Sequence, residues 1–426
     1  MSQERSIPGN PPALSKTGCT LVLVTAFLGW MCAGWQLAIS SIAMRDAAKD
    51  LLPDGSEADV AAWFGRLTCA FLLGAAFGGY VFGVVGDRFG RAKAMGFAIL
   101  WYSGFSAATV FVADPWQLWA IRFLTCMGVG GMWPNGIALV SEAWPNISRP
   151  FLAGAIGTAA NFGIMLLSGI ASWKPVTVDD WHWIMWFGAT PFALGLLVLF
   201  AVPESPHWLA LGNGKGDGTK PKLAGIGEIF KRPLLATTLL GIALGTIPLF
   251  GGWGCSNWAM PWAADVGTPE LKAHLSLARS LPGTISSLLG GGIAMLIGRR
   301  RAYFLASLGS LVSAQVLFLC LTPDGDHFWF IFWFASLGFF SGFFFGWLPL
   351  CLPELFPTRV RATGAGVSFN WGRIATAVGV VASGELLRTV FHGNYSQVGS
   401  ITGLIYVAGM VVIVFTPDTS QRTLQE

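Results

Sequence analysis

Twelve apolar stretches, each long enough to cross ~30 Å of hydrocarbon, dominate the 426-residue chain. They run near 19–44, 60–85, 94–113, 115–142, 150–172, 181–202, 233–264, 274–298, 302–321, 327–353, 362–385 and 397–416. Lipid offers the backbone no hydrogen-bond partners, so each stretch must be a helix. Composition agrees, with 54% hydrophobic and only 11% charged residues against about 25% charged in a soluble domain. The chain is read as an all-α membrane protein. Its 20 Trp fit interface anchors and its 55 Gly fit close helix contacts. The net charge of +4 is small and the charges sit at span ends, which argues against nucleic acid as a partner. The seven cysteines all fall in or at the edge of apolar runs, so no disulfide is expected. No Cys or His spacing suggests a metal. Residues 1–18 are polar and Pro-rich without the basic-then-apolar order of a cleaved signal, so the first span is expected to remain.

Lys and Arg in the connections set the expected orientation. With the N-terminus inside, 17 fall on the inner side, five on the outer (Arg45, Lys49, Lys174, Lys272, Arg388), and four within spans (Arg66, Arg122, Arg279, Arg373). This bias puts both termini in the cytoplasm and the protein in the inner or plasma membrane. The connection 203–232 contains NGKGDGTKPK, a flexible basic segment with no apolar face. It divides the chain into an N-tail (1–18), a six-helix bundle (19–202), a linker (203–232), a second six-helix bundle (233–416) and a C-tail (417–426).

The halves repeat. Glu142, Pro145, Arg149 and Gly154 after span 4 match Glu354, Pro357, Arg361 and Gly366 after span 10, each at an offset of 212. Between spans 2 and 3 lies GVVGDRFGRAK, in which Gly83, Asp87, Arg88, Gly90, Arg91 and Lys93 are regularly spaced. Ionised groups are costly in hydrocarbon, so this turn must lie at the membrane surface, and its glycines allow it to be tight. At an offset of 208, Gly291, Gly298, Arg299 and Arg301 repeat it, while Met295 and Leu296 replace the Asp and first Arg. Two such halves imply duplicated folding units related by pseudo-symmetry.

The G-x-x-x-D-R-x-G-R-x-K loop resembles the signature between helices 2 and 3 of the major facilitator superfamily. Pro203-Glu204-Ser205-Pro206 after span 6, Pro417-Asp418-Thr419 after span 12 and the two E-x6-R pairs resemble its sugar-porter and organic-ion branch. His207 stands where Arg is usual, and Asp418 where Glu is usual. Arg122-Phe123-Leu124-Thr125 with Gly128, Gly130 and Gly131 resembles the span-4 signature. The resemblance implies solute transport by alternating access. It also implies a gate at the inner surface, with Asp87 beside the start of span 11 and Arg91 beside Asp87. The gating set is Gly83, Asp87, Arg88, Gly90, Arg91, Arg122, Glu142, Arg149, Glu354 and Arg361, with Glu204 as a further partner.

No P-loop, Ser-His-Asp set or Zn-ligand spacing is present, and no cofactor is implied. The five His lie at or near span ends and read as interfacial. No acidic residue lies mid-span. Where related porters carry acidic residues in span 1, this chain has Ala33 and Gln36, which points away from proton symport and toward uniport or exchange. The deep charges are all Arg, and each needs a partner. Backbone carbonyls or a helix C-terminus suit Arg122; Arg66 and Arg279 are expected to snorkel outward. Arg373 faces either a solute anion or backbone carbonyls. Gln36, Trp35, Asn161, Trp253, Asn257 and Asn370 join it as a candidate solute site, with span 7 expected to open next to Pro261. The reading is a transporter of a sugar, sugar acid or carboxylate, taken as a monomer in the bilayer. A non-transporting receptor on the same fold is the alternative, and no catalytic set supports an enzyme.

Overall fold

Helix starts and turns in this chain are fixed by short polar side chains between the apolar runs. Ser56 and Asp59 cap one another's backbone at the start of one helix, and Asp114, Asp326 and Asn394 cap three more. The computed structural model describes residues 14–144, 149–210, 226–266, 269–357 and 360–417, with side chains undescribed at 149–157, 207, 210, 226, 269–270 and 362. Within them the chain makes twelve helical passes. These are α1 Lys16–Ile42, α2 Glu57–Phe89, α3 Arg91–Phe111, α4 Pro115–Ala143, α5 Arg149–Trp173, α6 His182–Ala201, α7 Leu235–Val266, α8 Pro269–Ile297, α9 Arg299–Cys320, α10 His327–Glu354, α11 Arg361–Thr389 and α12 Tyr395–Val414. A short helix, Met44–Asp50, lies on the connection from α1 to α2. Ten passes are apolar and long enough by composition alone to cross a membrane. α11 is not among them because Asn370, Arg373, Glu385 and Arg388 all fall on it.

Each half is knit by close helix contact. α2 packs on α4 in the first half and α8 on α10 in the second. A Cβ on Gly130 would strike the Ala75 carbonyl, and one on Gly338 would lie 2.5 Å from the Arg279 carbonyl oxygen. These two glycines are 208 residues apart and do the same job in each half: only a glycine lets the backbones approach this far. The turns into α3 and α9 are also equivalent. Gly90 (φ 111°) and Gly298 (φ 93°) take conformations that L side chains avoid. Arg91 then donates back to the Gly86 carbonyl (2.9 Å) and Arg299 to that of Ala294 (3.2 Å).

The halves meet along two seams, α2 against α11 and α5 against α8. On the first, a Cβ at Gly65 would sit 3.3 Å from the Val380 carbonyl oxygen. On the second, Ser168 and Ser276 share a hydrogen bond of 2.7 Å. One end of the molecule carries the turns 83–93 and 298–301 and the described flanks of the linker, 203–210 and 226–232, and is called the linker end below. The other carries Met44–Asp50 and the connection from α7 to α8, and is called the far end.

Candidate functional site

The site is best read from the arginines, because each cation within a membrane bundle must find an acceptor. Arg122 is fully buried in α4. It donates to Gln36 Oε1 (3.1 Å), the Gln36 carbonyl (3.1 Å) and Ser40 Oγ (2.7 Å) on α1, while Gln36 Nε2 donates to the Gly188 carbonyl (3.0 Å). Neutral acceptors hold this charge, and they consume the polar atoms of Gln36. Arg66 on α2 does not reach for the surface alone. It pairs with Glu385 on α11 at 2.5 Å, beneath which its guanidinium lies 5.0 Å from the Trp63 ring. Arg373 donates through Nη1 to Asn370 Oδ1 (3.3 Å) and the Ala75 carbonyl (3.4 Å), and lies 4.8 Å over the Phe369 ring.

Arg279 differs from these three. Among the described residues nothing accepts a hydrogen bond from its guanidinium. It is not turned outward as its depth suggested. It lines a cavity of ≈ 70 Å³ between the halves, together with Ser276, Ser280, Ser341, Asn161 and Trp253. The face explains this. Ser276, Ser280 and Gly283 recur at helical spacing on α8 and line the cavity, with Ser276 bonded to Ser168 of α5 and Gly283 packed on Gly342 of α10. Arg279 sits beside that stripe. The serine spacing was in the sequence; it outranks depth as a guide to where an arginine points.

α7 opens at residues 251–258, where a π turn (Gly251–Cys255) runs into a 3-10 turn (Ser256–Trp258). The break precedes Pro261, the expected position. Pro261 falls in the first turn of the next helical segment, where a missing N–H costs nothing. The Gly251-Gly252-Trp253-Gly254 run supplies the bend instead. Breaks of this kind recur where helices line a site. Trp253 projects from the π turn onto Phe71, ring centroids 4.5 Å apart, and lines the cavity. Asn257 follows it, fully buried, with neither end of its amide hydrogen-bonded. Trp35 packs on Phe187 at 4.7 Å with its indole N–H unpartnered. The structure thus sets Asn161 and Trp253 on the cavity wall and Asn370 against Arg373, and holds Gln36 in the Arg122 cluster.

At the linker end, Arg91 pairs with Asp87 (2.9 Å) and approaches Glu142 (3.7 Å), whose carboxylate also binds the Ser205 hydroxyl. Glu204 accepts from the N–H groups of Ala92 (3.0 Å) and Lys93 (3.5 Å), capping α3. Trp208 donates to the Asp87 carbonyl (3.0 Å). In the second half, Arg299 holds Glu354 at 3.0 Å. Arg88 is exposed with no ion pair among the described residues, and Gly83 has open space around it. Arg361 opens α11; the side chain of Arg149 lies outside the described residues.

Two duplicated bundles of membrane-length helices with a cavity between them have the architecture of a solute carrier. Residues 21–251 match the model of the Major Facilitator Superfamily and residues 280–426 that of the Sugar (and other) transporter family. The chain belongs to the Major Facilitator Superfamily, and carries small organic solutes rather than catalysing a reaction. It is 24% identical to the cis,cis-muconate transport protein of Acinetobacter baylyi, over 86% of this chain and 87% of that protein. It is 26% identical to a 4-hydroxybenzoate transporter of Pseudomonas putida (82% of each chain) and 24% identical to a niacin transporter of A. baylyi (97% of each). In fold it is similar to the xylose transporter of E. coli, with a TM-score of 0.76 and 18% identity over 96% of this chain and 100% of that one.

Proposed function

We propose that the solute is a small organic acid, and that its carboxylate meets Arg279. The observation that carries this reading is the contrast among the deep arginines. Arg66, Arg122 and Arg373 have protein acceptors, while Arg279, which lines the cavity, has none among the described residues. A carboxylate would satisfy it bidentately, a fit that Lys cannot reproduce. The surrounding serines and Asn161 suit the acid's remaining oxygens, and Trp253 offers a flat face for a planar carbon skeleton. Arg373, Asn370, Asn257 and Trp35 form a second group of polar and aromatic side chains for the solute once the bundles move. The linker end is cytoplasmic on this reading, and Gly83 to Arg91, Arg122, Glu142, Arg149, Glu354 and Arg361 govern its opening. The names of the relatives, carriers of muconate, 4-hydroxybenzoate and niacin, favour acids over sugars.

The test is uptake by proteoliposomes given labelled 4-hydroxybenzoate, muconate, nicotinate and xylose, with and without a pH gradient. Acid uptake by the wild type, lost in both Arg279→Lys and Arg279→Gln with xylose never carried, is expected. Acid uptake retained in Arg279→Gln overturns the assignment of the anchor, and saturable xylose uptake overturns the solute class. The same panel on Arg373→Gln decides whether the second arginine is also needed.

A further inference from the structure

The two halves differ at one place that gating and solute binding do not explain. The turn into α9 reads Gly298-Arg299-Arg300-Arg301, and its counterpart into α3 reads Gly90-Arg91-Ala92-Lys93. Arg299 performs the structural task of Arg91, bonding back to the preceding helix and to an acidic residue of the half. Arg300 has no equivalent, since Ala92 occupies its place and is buried. Arg300 and Arg301 are both exposed. Arg300 donates through Nε to the Thr416 carbonyl (2.6 Å), just past the end of α12; Arg301 makes no ion pair among the described residues.

Below these two cations the helix surfaces part. Arg300, Arg301, Phe304 and Leu305 follow one another on a single face of α9, at spacings of one and four. With Ile413 and Val414 of α12 they line a groove of ≈ 400 Å³. Phe304 is 39% exposed, Leu305 51% and Val414 61%, so the groove opens sideways, to the surface that faces lipid, and not into the space between the halves. The equivalent seam in the first half is shut. Gly96 stands 208 residues before Phe304, and a Cβ there would meet Leu199 of α6 at 2.7 Å. The same folding unit therefore closes its edge in one copy, and in the other leaves it open under added positive charge.

We propose that this groove binds an anionic phospholipid of the leaflet at the linker end. Its phosphate rests on Arg300 and Arg301, and one acyl chain lies along Phe304, Leu305 and Val414. Basic residues over apolar clefts between spans suit such headgroups, and each cation near a membrane surface contributes about 1 kcal/mol toward anionic lipid, or about five-fold in affinity. Snorkelling alone would place the cations but would not require the groove.

The experiment uses the purified full-length protein. Native mass spectrometry counts phosphatidylglycerol retained in competition with phosphatidylcholine, and sodium phosphate at millimolar concentration is the competitor for a bare anion site. The wild type is expected to retain phosphatidylglycerol preferentially, in phosphate as well as without it. Arg301→Gln, which leaves the Arg300–Thr416 contact in place, is expected to lower that retention about five-fold. Leu305→Trp, which fills the groove and keeps both cations, is expected to lower it as well. Lys93→Gln at the equivalent site is expected to change nothing. Displacement of the lipid by inorganic phosphate, or full retention in Leu305→Trp, overturns the proposal in favour of a simple anion site. Equal loss in Lys93→Gln overturns it in favour of general surface charge. Because the readout is bound lipid, none of these outcomes depends on which solute is carried.

Discussion

The two ends of the molecule use their charges in opposite ways. At the far end three ion pairs between described residues cross from one half to the other, alongside pairs such as Lys49 with Glu57 that stay within one. Asp46 binds Lys272 of α8, Arg45 binds Asp265 of α7 (3.3 Å) as well as Glu57 (2.5 Å), and Arg66 binds Glu385 of α11 (2.5 Å). At the linker end, the ion pairs drawn between described residues stay within a half: Arg91 with Asp87 and Glu142, and Arg299 with Glu354. The contrast teaches what state this conformation is. Crossing pairs tie the two halves together at the far end, while the pairs between described residues at the linker end each join elements of one half. Burial separates the pairs within each end, since that of Arg299 with Glu354 at the linker end is also buried, at 13% and 6% exposed. The side chains of Asp46 and Lys272 are 5% and 4% exposed, whereas that of Asp87 is 61% exposed. Charge pairs with little solvent around them are hard to break one partner at a time, and exposed ones are weak.

The largest expected effect therefore comes from splitting the buried pair. Asp46→Asn leaves the Lys272 ammonium buried without its carboxylate, at a cost of about 3–5 kcal/mol to the closed far mouth. In a variant with the native cysteines replaced and Ser41→Cys added to the cavity wall, labelling by an impermeant maleimide from the far side should rise more than about 100-fold. Asp46→Asn combined with Lys272→Met removes both charges and should restore slow labelling. Unchanged labelling in the single variant would show that the crossing pair does not hold the mouth.

A smaller effect of opposite sign belongs to the linker end. The family resemblance places Asp87 at the start of α11 when that end closes, where a carboxylate gains about 0.3–2 kcal/mol from the helix N-terminus. Among the described residues the Asp87 carboxylate pairs with Arg91 and with no group of α11. Asp87→Asn should leave this form intact and weaken the other. Far-side labelling of Ser41→Cys should then fall between about two-fold and 30-fold. A rise, as in Asp46→Asn, would mean that Asp87 helps to close the far end.

The sequence carries some of this contrast and not the rest. The twelve passes were legible because lipid leaves the backbone one choice, and the pseudo-repeat because Glu142/Glu354 and Gly90/Gly298 keep their spacing. The partners of the arginines were not legible. Depth along a span can be read from sequence, but facing direction depends on neighbouring helices. Arg66 and Arg279 lie at similar depths, yet one finds Glu385 and the other the cavity. Asp46 shows the same limit. It follows the first apolar run in a stretch with no motif of its own, and the short helix Met44–Asp50 folds it against Lys272. The opening in α7 is expected next to Pro261, but the glycine run Gly251 to Gly254 sets it.

The smallest effect, and the finest test of the comparison, is at Arg66 and Glu385. This pair also crosses between the halves, but its side chains are 30% and 34% exposed. Glu385 is shared with Arg388 at 2.9 Å, and Arg66 keeps the Trp63 ring as a second neighbour. Losing the carboxylate thus leaves neither arginine stranded in hydrocarbon. Glu385→Gln should shift far-side labelling of Ser41→Cys by no more than about five-fold, the size of an exposed pair worth ~0–1 kcal/mol. Salt should separate the two kinds of crossing pair. Raising ionic strength toward 1 M shortens the screening length to about 3 Å, which should reproduce the Glu385→Gln shift in the wild type and add little to that variant. The Asp46–Lys272 pair, closed off from solvent, should not respond. If salt instead opens the far mouth as far as Asp46→Asn does, burial is not what distinguishes these pairs, and the clamp is a surface electrostatic effect throughout.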